Sequence, residues 1–136
     1  MPYSCLFDLD GTVYRGQSPI EGAVNFINRL KKNDIKYKFI TNRSDRSSEE
    51  VSNHSNTMGI ISTPDSIITS AMGVAGLTKG RRVYVLGSEN LKDCIRGSEA
   101  IITGDQPEDV VIGFDGKINF DDIPKVIQLK KKSVKL

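Results

Sequence analysis

Short apolar runs alternate along this chain with segments whose apolar residues recur every three or four positions. The runs predict five strands, at residues 3–7, 37–41, 66–69, 82–87 and 110–113. An amphipathic helix is predicted after Pro19, and further helices are predicted from Ser47 or Ser48, after the third strand, near Glu89 and near Asp121. Because strands and helices alternate, the pattern predicts an α/β fold with a mainly parallel sheet.

The second helix has clear boundaries but a poor apolar face. Ser47 or Ser48 can cap its first turn, and Gly59 can end it. Ser55 stands where the helical period calls for an apolar residue. This face therefore indicates either a relaxed constraint or a compensating contact elsewhere. His54, the only histidine, is interpreted as a surface residue and not as a metal ligand.

Composition narrows the class of protein. A length of 136 residues corresponds to about one domain, and a net charge of +2 is too small to indicate nucleic-acid binding. The two cysteines, Cys5 and Cys94, are far apart and lack metal-binding spacing, so reduced thiols are expected. We find no signal peptide or membrane-spanning segment and expect a cytoplasmic protein with no nucleic-acid or membrane partner. A homo-oligomer is possible.

Polar side chains follow the first two predicted strands. Asp8 and Asp10 come at the end of the first strand, and Thr41 and Asn42 come at the end of the second. Ligands of open parallel sheets bind beyond the carboxyl ends of the strands, so these side chains are expected to meet if the strands are neighbours. A tight acidic turn without any chemistry is the alternative interpretation of the two aspartates alone.

The residue types at these two strand ends resemble two motifs of one enzyme family. The string FDLDGT at 7–12 resembles the first motif of the haloacid dehalogenase (HAD) superfamily of phosphohydrolases, and FITN at 39–42 resembles its second motif. The longer string TNRSDRS at 41–47 is similar to the branch that contains 4-nitrophenylphosphatase and phosphoglycolate phosphatase. Arg43 stands where that branch usually has a second Asn.

The resemblance continues beyond these motifs and implies a domain organisation. Residues 83–87 and 109–115 are similar to the start of the α/β cap domain of the same branch. The resemblance extends from about residue 3 to about residue 129. It implies a Rossmann-like parallel sheet, with a HAD core portion at 1–79 and a partial cap domain at 80–136.

The resemblance also implies roles for individual residues. Asp8 would be the nucleophile that forms an aspartyl-phosphate, and Asp10 would be the general acid and then the general base. Mg²⁺ would be held by the Asp8 carboxylate, by the Asp10 carbonyl and by water. Thr41, Asn42 and Arg43 would bind a small phosphorylated substrate. Asp10 can serve both roles only where the strand has turned, and Gly11 permits that turn.

Two parts of the family pattern are missing. The family completes its site with a Lys on a later strand and with a second acidic motif that supplies further magnesium ligands. The string GDQPED at 104–109 is superficially similar to that acidic motif, but it precedes a cap strand and Pro107 indicates a loop. We therefore expect a C-terminally truncated relative with weak Mg²⁺ affinity and impaired hydrolysis of phosphate monoesters.

Two other functions remain open at this point. The chain could be a catalytically silent truncated relative that binds phosphate or a partner protein. It could also be a phosphoacceptor module in which a strand-end aspartate takes a phosphoryl group for signalling. The order of the two motifs matches the hydrolases better than the phosphoacceptors. The substrate itself cannot be predicted, because specificity in this branch depends largely on the cap.

Overall fold

The computed structural model describes residues 4–113, 115–117 and 120–131, and these residues form two compact units. The first unit contains the described residues of Met1–Asn42 and Ser47–Thr69, and the second contains those of Arg43–Arg46 and Ser70–Leu136. Each unit combines a parallel sheet with helices, so the predicted α/β class is confirmed. No helix in the described part of the chain is both long and apolar enough to cross a bilayer.

The first unit is built on a three-stranded parallel sheet in the order β1-β4-β5. Its elements are β1 (Ser4–Asp8), β2 (Tyr14–Arg15), β3 (Ser18–Pro19), α1 (Ala23–Lys32), β4 (Lys36–Thr41), α2 (Ser48–Thr57), a 3₁₀ turn (Pro64–Ser66) and β5 (Ile67–Thr69). The register places Asp8 opposite Ile40 and Thr41 opposite Thr69. Tyr3, the first residue predicted for the first strand, lies outside the described residues.

One face of this sheet forms the core of the first unit, and the other face is exposed. Phe39, at the centre of β4, is fully buried together with the following residues: Leu9, Ile27, Val51, Ile60 and Ile67. On the opposite face, Leu6 is 59% exposed and Ile40 is 41% exposed. The alternation of buried and exposed positions along β1 and β4 follows the two-residue period of a strand.

A small hairpin precedes α1, and the sequence pattern did not predict it. The antiparallel strands β2 and β3 pair across a two-residue turn in which Gly16 has a φ of +61°. His54 is half-buried, and its Nε2–H donates to the Gly16 carbonyl at 2.8 Å. His54 is thus partly exposed, and its contact with the hairpin was not predicted. Because Pro19 pairs in the hairpin, α1 begins at Ala23 and not directly after Pro19.

The start of α2 agrees with the prediction. Ser47 is the N-cap residue: its hydroxyl accepts the Glu50 N–H at 3.2 Å, and Glu50 Oε2 accepts the Ser47 N–H at 2.7 Å. This reciprocal pair is a capping box, which satisfies two backbone donors at the end of the helix. Gly59, with a φ of +79°, follows the last turn.

Replacing Ser47 by Ala is expected to lower the free energy of unfolding by about 1 kcal/mol, because one helical N–H loses its acceptor. Ser47→Asp keeps a capping oxygen and should retain the wild-type stability. Urea denaturation followed by circular dichroism measures both variants. A destabilisation of equal size in the two would contradict the assignment of Ser47 as the cap.

The polar face of α2 is compensated by hydrogen bonds. Ser52 and Ser55 are buried, and the Ser55 hydroxyl donates to the Val51 carbonyl at 2.9 Å. The Ser52 and Ser62 hydroxyls lie 3.2 Å apart, and Asn56 bonds to both backbone groups of Ser62. Since buried hydroxyls are costly only when unpaired, these contacts explain why the helix tolerates serines on its inner face.

The second unit has its own three-stranded parallel sheet, in the order β7-β6-β8. Its elements are α3 (Ser70–Leu77), β6 (Arg82–Leu86), α4 (Glu89–Gly97), β7 (Ile101–Ile102), β8 (Asp109–Ile112), a 3₁₀ turn (Phe120–Asp122) and α5 (Ile123–Lys131). A cluster of apolar side chains forms its core: Ala71, Val83, Val85, Leu91, Ile95 and Ala100. The prediction that the segment from about Arg81 onward does not extend the first sheet is confirmed. The predicted division at residue 79 stays a prediction.

Candidate active site

The carboxyl ends of β1 and β4 lie side by side. The two strands are parallel neighbours, and each ends in a candidate residue, Asp8 in β1 and Thr41 in β4. The predicted adjacency of the first two strands is confirmed. In an open parallel sheet this edge is where ligands bind, because several chain turns diverge there and leave a crevice.

A tight turn directly after β1 changes the direction of the chain. The carbonyl of the fully buried Leu9 accepts N–H groups from Thr12 at 3.2 Å, Val13 at 2.9 Å and Tyr14 at 3.2 Å. Gly11 has a φ of +91°, a conformation that side chains with a Cβ rarely adopt. Asp10 therefore lies beyond the end of β1, directly before the turn, where it forms an isolated β-bridge with Tyr14. The turn needed for Asp10 to act beside Asp8 is present.

Asp8 is exposed, and Thr12 orients its carboxylate. The Thr12 hydroxyl donates to Asp8 Oδ2 at 2.9 Å. Hydrogen bonds to an ionised carboxylate are stronger than those between neutral groups, so this contact favours one orientation of Asp8. Thr12 lies within the first motif, but no role was predicted for it. A hydroxyl residue four positions after the acid, beyond a turn glycine, is the signal that was available.

Thr41 and Asn42 differ in exposure. Thr41 is 2% exposed, whereas Asn42 is exposed. Thr41 also follows Ile40, the register partner of Asp8, so its side chain leaves the strand on the other face of the pleat. Direct contact of the Thr41 and Asp8 side chains therefore stays a prediction. Asn42 is accessible to a ligand.

Arg43 forms a bidentate ion pair with Asp45 within the second unit. Arg43 Nε donates to Asp45 Oδ1 at 3.0 Å, and Nη2 donates to Oδ2 at 2.8 Å. The hydrogen bond from Arg43 lowers the pKa of Asp45 below its usual value. Asp45 therefore stays ionised near neutral pH, and both of its carboxylate oxygens accept hydrogen bonds from the Arg43 guanidinium. Arg43 was a predicted site residue, whereas no role was predicted for Asp45.

Asp8 and Asp10 fit a magnesium ion as a partial set of ligands. Both residues are exposed beside a strand end, and Mg²⁺ prefers oxygen ligands, which the Asp8 carboxylate and the Asp10 carbonyl would supply. Within 4–113, 115–117 and 120–131, no three His, Cys, Asp or Glu side chains form a group that could hold a metal. Mg²⁺ commonly keeps several waters and takes only one or two carboxylates. The two aspartates are suited to such a site.

The acidic string at 104–109 serves a different purpose. Glu108 Oε2 accepts the Arg82 N–H at 2.9 Å, and the Asp109 carboxylate pairs with the Arg81 guanidinium. Arg82 and Asp109 are the first residues of β6 and β8, so this string lies at the amino ends of the second sheet. The string therefore leads into β8, in agreement with the expectation that it precedes a strand.

Comparisons with known proteins identify similar sequences. A family model for haloacid dehalogenase-like hydrolases matches residues 5–100. An acid sugar phosphatase from Staphylococcus saprophyticus is 36% identical over 121 residues, which cover 85% of this chain and 47% of that protein. A 5'-nucleotidase from Bacillus subtilis is 32% identical over 120 residues, with the same two coverages, 85% and 47%. The chain spans about half the length of the curated relatives it matches.

Two solved structures are similar to nearly the whole chain. A thermostable NPPase from Geobacillus stearothermophilus gives a TM-score of 0.89 at 29% identity, covering 99% of this chain and 55% of that one. A glycerol phosphate phosphatase from Mycobacterium tuberculosis, in complex with magnesium, gives a TM-score of 0.84 at 28% identity. The match covers 96% of this chain and 42% of that one. The fold described above is thus the fold of known phosphatases over the matched part of their chains.

Proposed function

Because this chain belongs to the haloacid dehalogenase-like hydrolase family, we propose that it acts as a Mg²⁺-dependent phosphatase on small phosphate monoesters. The observation that carries the proposal is the position of Asp8. This aspartate ends β1 beside the parallel end of β4, is exposed, and is oriented by the Thr12 hydroxyl. An exposed, oriented carboxylate at this edge is suited to attack a phosphoryl group in line.

In the first step, Asp8 is the nucleophile and Asp10 is the acid. A carboxylate oxygen of Asp8 bonds to phosphorus while the bond from phosphorus to the ester oxygen breaks. Asp10 gives its proton to the departing oxygen, so the alcohol leaves in neutral form. The products are an aspartyl-phosphate on Asp8 and the ionised Asp10.

In the second step, Asp10 is the base. It takes a proton from a water molecule whose oxygen attacks phosphorus, and the bond between phosphorus and the Asp8 oxygen breaks. Inorganic phosphate leaves, and both side chains return to their starting states. The turn at Gly11 supports this double role, because it removes Asp10 from the extended path of β1.

The loop after β4 would bind the phosphoryl oxygens, and Asp8 and Asp10 would hold the Mg²⁺. When bound by the Asp8 carboxylate and the Asp10 carbonyl, Mg²⁺ supplies positive charge that offsets repulsion between the nucleophile and the phosphate. Asn42 is exposed and can donate an amide N–H to a phosphoryl oxygen, and Thr41 and Arg43 are further proposed contacts.

Sugar phosphates and nucleoside monophosphates are the substrate classes that the relatives suggest. The matched proteins are named acid sugar phosphatase, 5'-nucleotidase and glycerol phosphate phosphatase. All three names describe the removal of phosphate from a small polar molecule. Phosphate release from a sugar phosphate and from a nucleoside 5'-monophosphate, with Mg²⁺ and then with EDTA, tests this proposal. Release that EDTA does not reduce would contradict the role of the metal.

A phosphate-binding relative without turnover is the second candidate. It is favoured by the metal site, since no described group of three ligating side chains surrounds Asp8 and Asp10. Such a chain would bind inorganic phosphate but release no product from any monoester. The same assay, combined with a phosphate-binding measurement, separates the two functions.

The two aspartates should differ in their effect on Mg²⁺ binding. We expect millimolar affinity for the wild-type chain, because two ligands displace little of the water shell. Asp8→Asn should weaken binding by more than about tenfold, since even the hydrogen-bond partners of metal ligands have effects of that size. Asp10→Asn keeps the backbone carbonyl and should change the affinity little. Titration calorimetry measures all three proteins, and equal losses in both variants would contradict the carbonyl assignment.

A further inference from the structure

The segment Arg43–Arg46 continues directly from the strand that carries Thr41, yet it packs within the second unit. Ser44, at its centre, is only 6% exposed. The Ser44 carbonyl accepts two side-chain hydrogen bonds, from Ser88 Oγ at 3.1 Å and from Asn90 Nδ2 at 2.9 Å. Two donors converging on one backbone carbonyl fix the position of the peptide to which it belongs.

The donors themselves are held in place. Ser88 is the N-cap residue of α4, and its hydroxyl oxygen also accepts the Leu91 N–H at 3.2 Å. Gly113 closes the other side of the segment: a Cβ at Gly113 would lie 2.8 Å from Ser44 Oγ. A side chain at Gly113 would therefore collide with Ser44, and also with Leu91 of α4. The segment is held between the start of α4 and the end of β8.

We propose that Ser88 and Asn90 are positioning residues for the phosphate-binding loop. By fixing the Ser44 carbonyl, they fix the backbone two residues after Asn42 and one residue after Arg43. The Arg43–Asp45 ion pair further stabilises the same segment. This inference rests on the proposed function, because it assigns phosphate binding to the residues just before Ser44.

Two substitutions separate positioning from helix capping. Ser88→Asp keeps an oxygen that caps α4 but removes the hydroxyl donor to Ser44. Asn90→Asp has almost the same shape and also removes the donor. Ser88→Thr keeps both functions of the hydroxyl and serves as the conservative rescue. Asn53→Asp, at an exposed position of α2, is the control for the change in charge.

The test combines hydrogen exchange at residues 43–46 with binding of inorganic phosphate in the presence of Mg²⁺. Asn90→Asp and Ser88→Asp should speed exchange in this segment and raise the Kd for phosphate by about tenfold, the equivalent of one lost hydrogen bond. The KM for 4-nitrophenyl phosphate should rise in parallel, with kcat nearly unchanged. Ser88→Thr and Asn53→Asp should behave as the wild-type chain does.

The outcomes distinguish this inference from the function on which it rests. Unchanged exchange and Kd in both donor-deleting variants would overturn the positioning role alone. Faster exchange throughout the second unit, with an unchanged Kd, would show a merely structural role and would overturn it as well. Phosphate binding without turnover in the wild-type chain would overturn only the phosphatase, since a raised Kd in the variants would still support positioning. Absence of phosphate binding would overturn both.

Discussion

Replacing Asp8 by Asn should abolish the Mg²⁺-dependent release of 4-nitrophenol from 4-nitrophenyl phosphate. We expect a loss of at least about a thousandfold, because removal of a catalytic nucleophile leaves only binding and electrostatic contributions to the rate. The amide of Asn nearly matches the shape of the carboxylate and can still contact Thr12. The loss therefore reports the missing nucleophile and not a collapse of the turn after β1.

Asp34→Asn is the matched control for this experiment. Asp34 is exposed, follows α1 and has a φ of +54°, a conformation that Asn adopts readily. Asp34→Asn makes the same change in charge as Asp8→Asn and should leave the rate of 4-nitrophenol release unchanged. Equal low rates in the wild-type chain and in Asp8→Asn would instead support the silent, phosphate-binding function.

Replacing Phe39 by Ala should lower the free energy of unfolding of the first unit by about 3–5 kcal/mol. Phe39 is completely buried in the central strand of the sheet. Its ring lies 5.4 Å from that of Tyr37 and 6.3 Å from that of Phe7, measured between centroids. Truncation removes these contacts and leaves a cavity that neighbouring strands cannot fill. Because domains are stable by only about 5–15 kcal/mol, the variant should be close to unfolding.

Phe26→Ala provides the comparison. Phe26 is 51% exposed and meets Phe7 edge-on at 5.8 Å, so its loss should cost only about 1 kcal/mol. Urea denaturation monitored by circular dichroism gives both values. Similar losses in the two variants would contradict the burial of Phe39 at the centre of this core and the exposed position of Phe26 at its margin.

Periodicity and strand-end chemistry predicted the parts of the fold that local pattern controls. β4 and β6 were predicted to within one residue because a short run rich in aromatic and β-branched residues ends at a polar loop or at a glycine. An N-cap at Ser47 or Ser48 was predicted because caps are local, and the structure assigns it to Ser47, whose partner Glu50 is three residues away. Motif order correctly placed β1 beside β4.

Features that depend on distant partners were not predictable. The serines of α2 are tolerated because Ser62, ten residues from Ser52, satisfies one of them, and no periodic pattern shows that contact. Strand β7 has only two residues, too few for a two-residue period to be seen. The packing of Ser44 in the second unit depends on Ser88 and Asn90, more than forty residues away.

The candidate site likewise has features that follow from local sequence and features that do not. Asp8 and Asp10 could be assigned because a motif and a turn glycine lie within one short stretch. The Thr12 hydrogen bond was within that stretch and could have been found from the spacing. Asp45 was missed because its effect on Arg43 depends on a side-chain geometry that residue order alone does not specify.

The central claim is that Asp8 takes the phosphoryl group, and trapping that group tests it most directly. The chain is incubated with Mg²⁺ and 4-nitrophenyl phosphate, treated with borohydride, which reduces an acyl phosphate to an alcohol, and analysed by peptide mass spectrometry. We predict homoserine at position 8, dependent on Mg²⁺ and substrate and absent from Asp8→Asn. Product release with an unmodified Asp8, or with homoserine at position 10 instead, would contradict the assignment of Asp8 as the nucleophile.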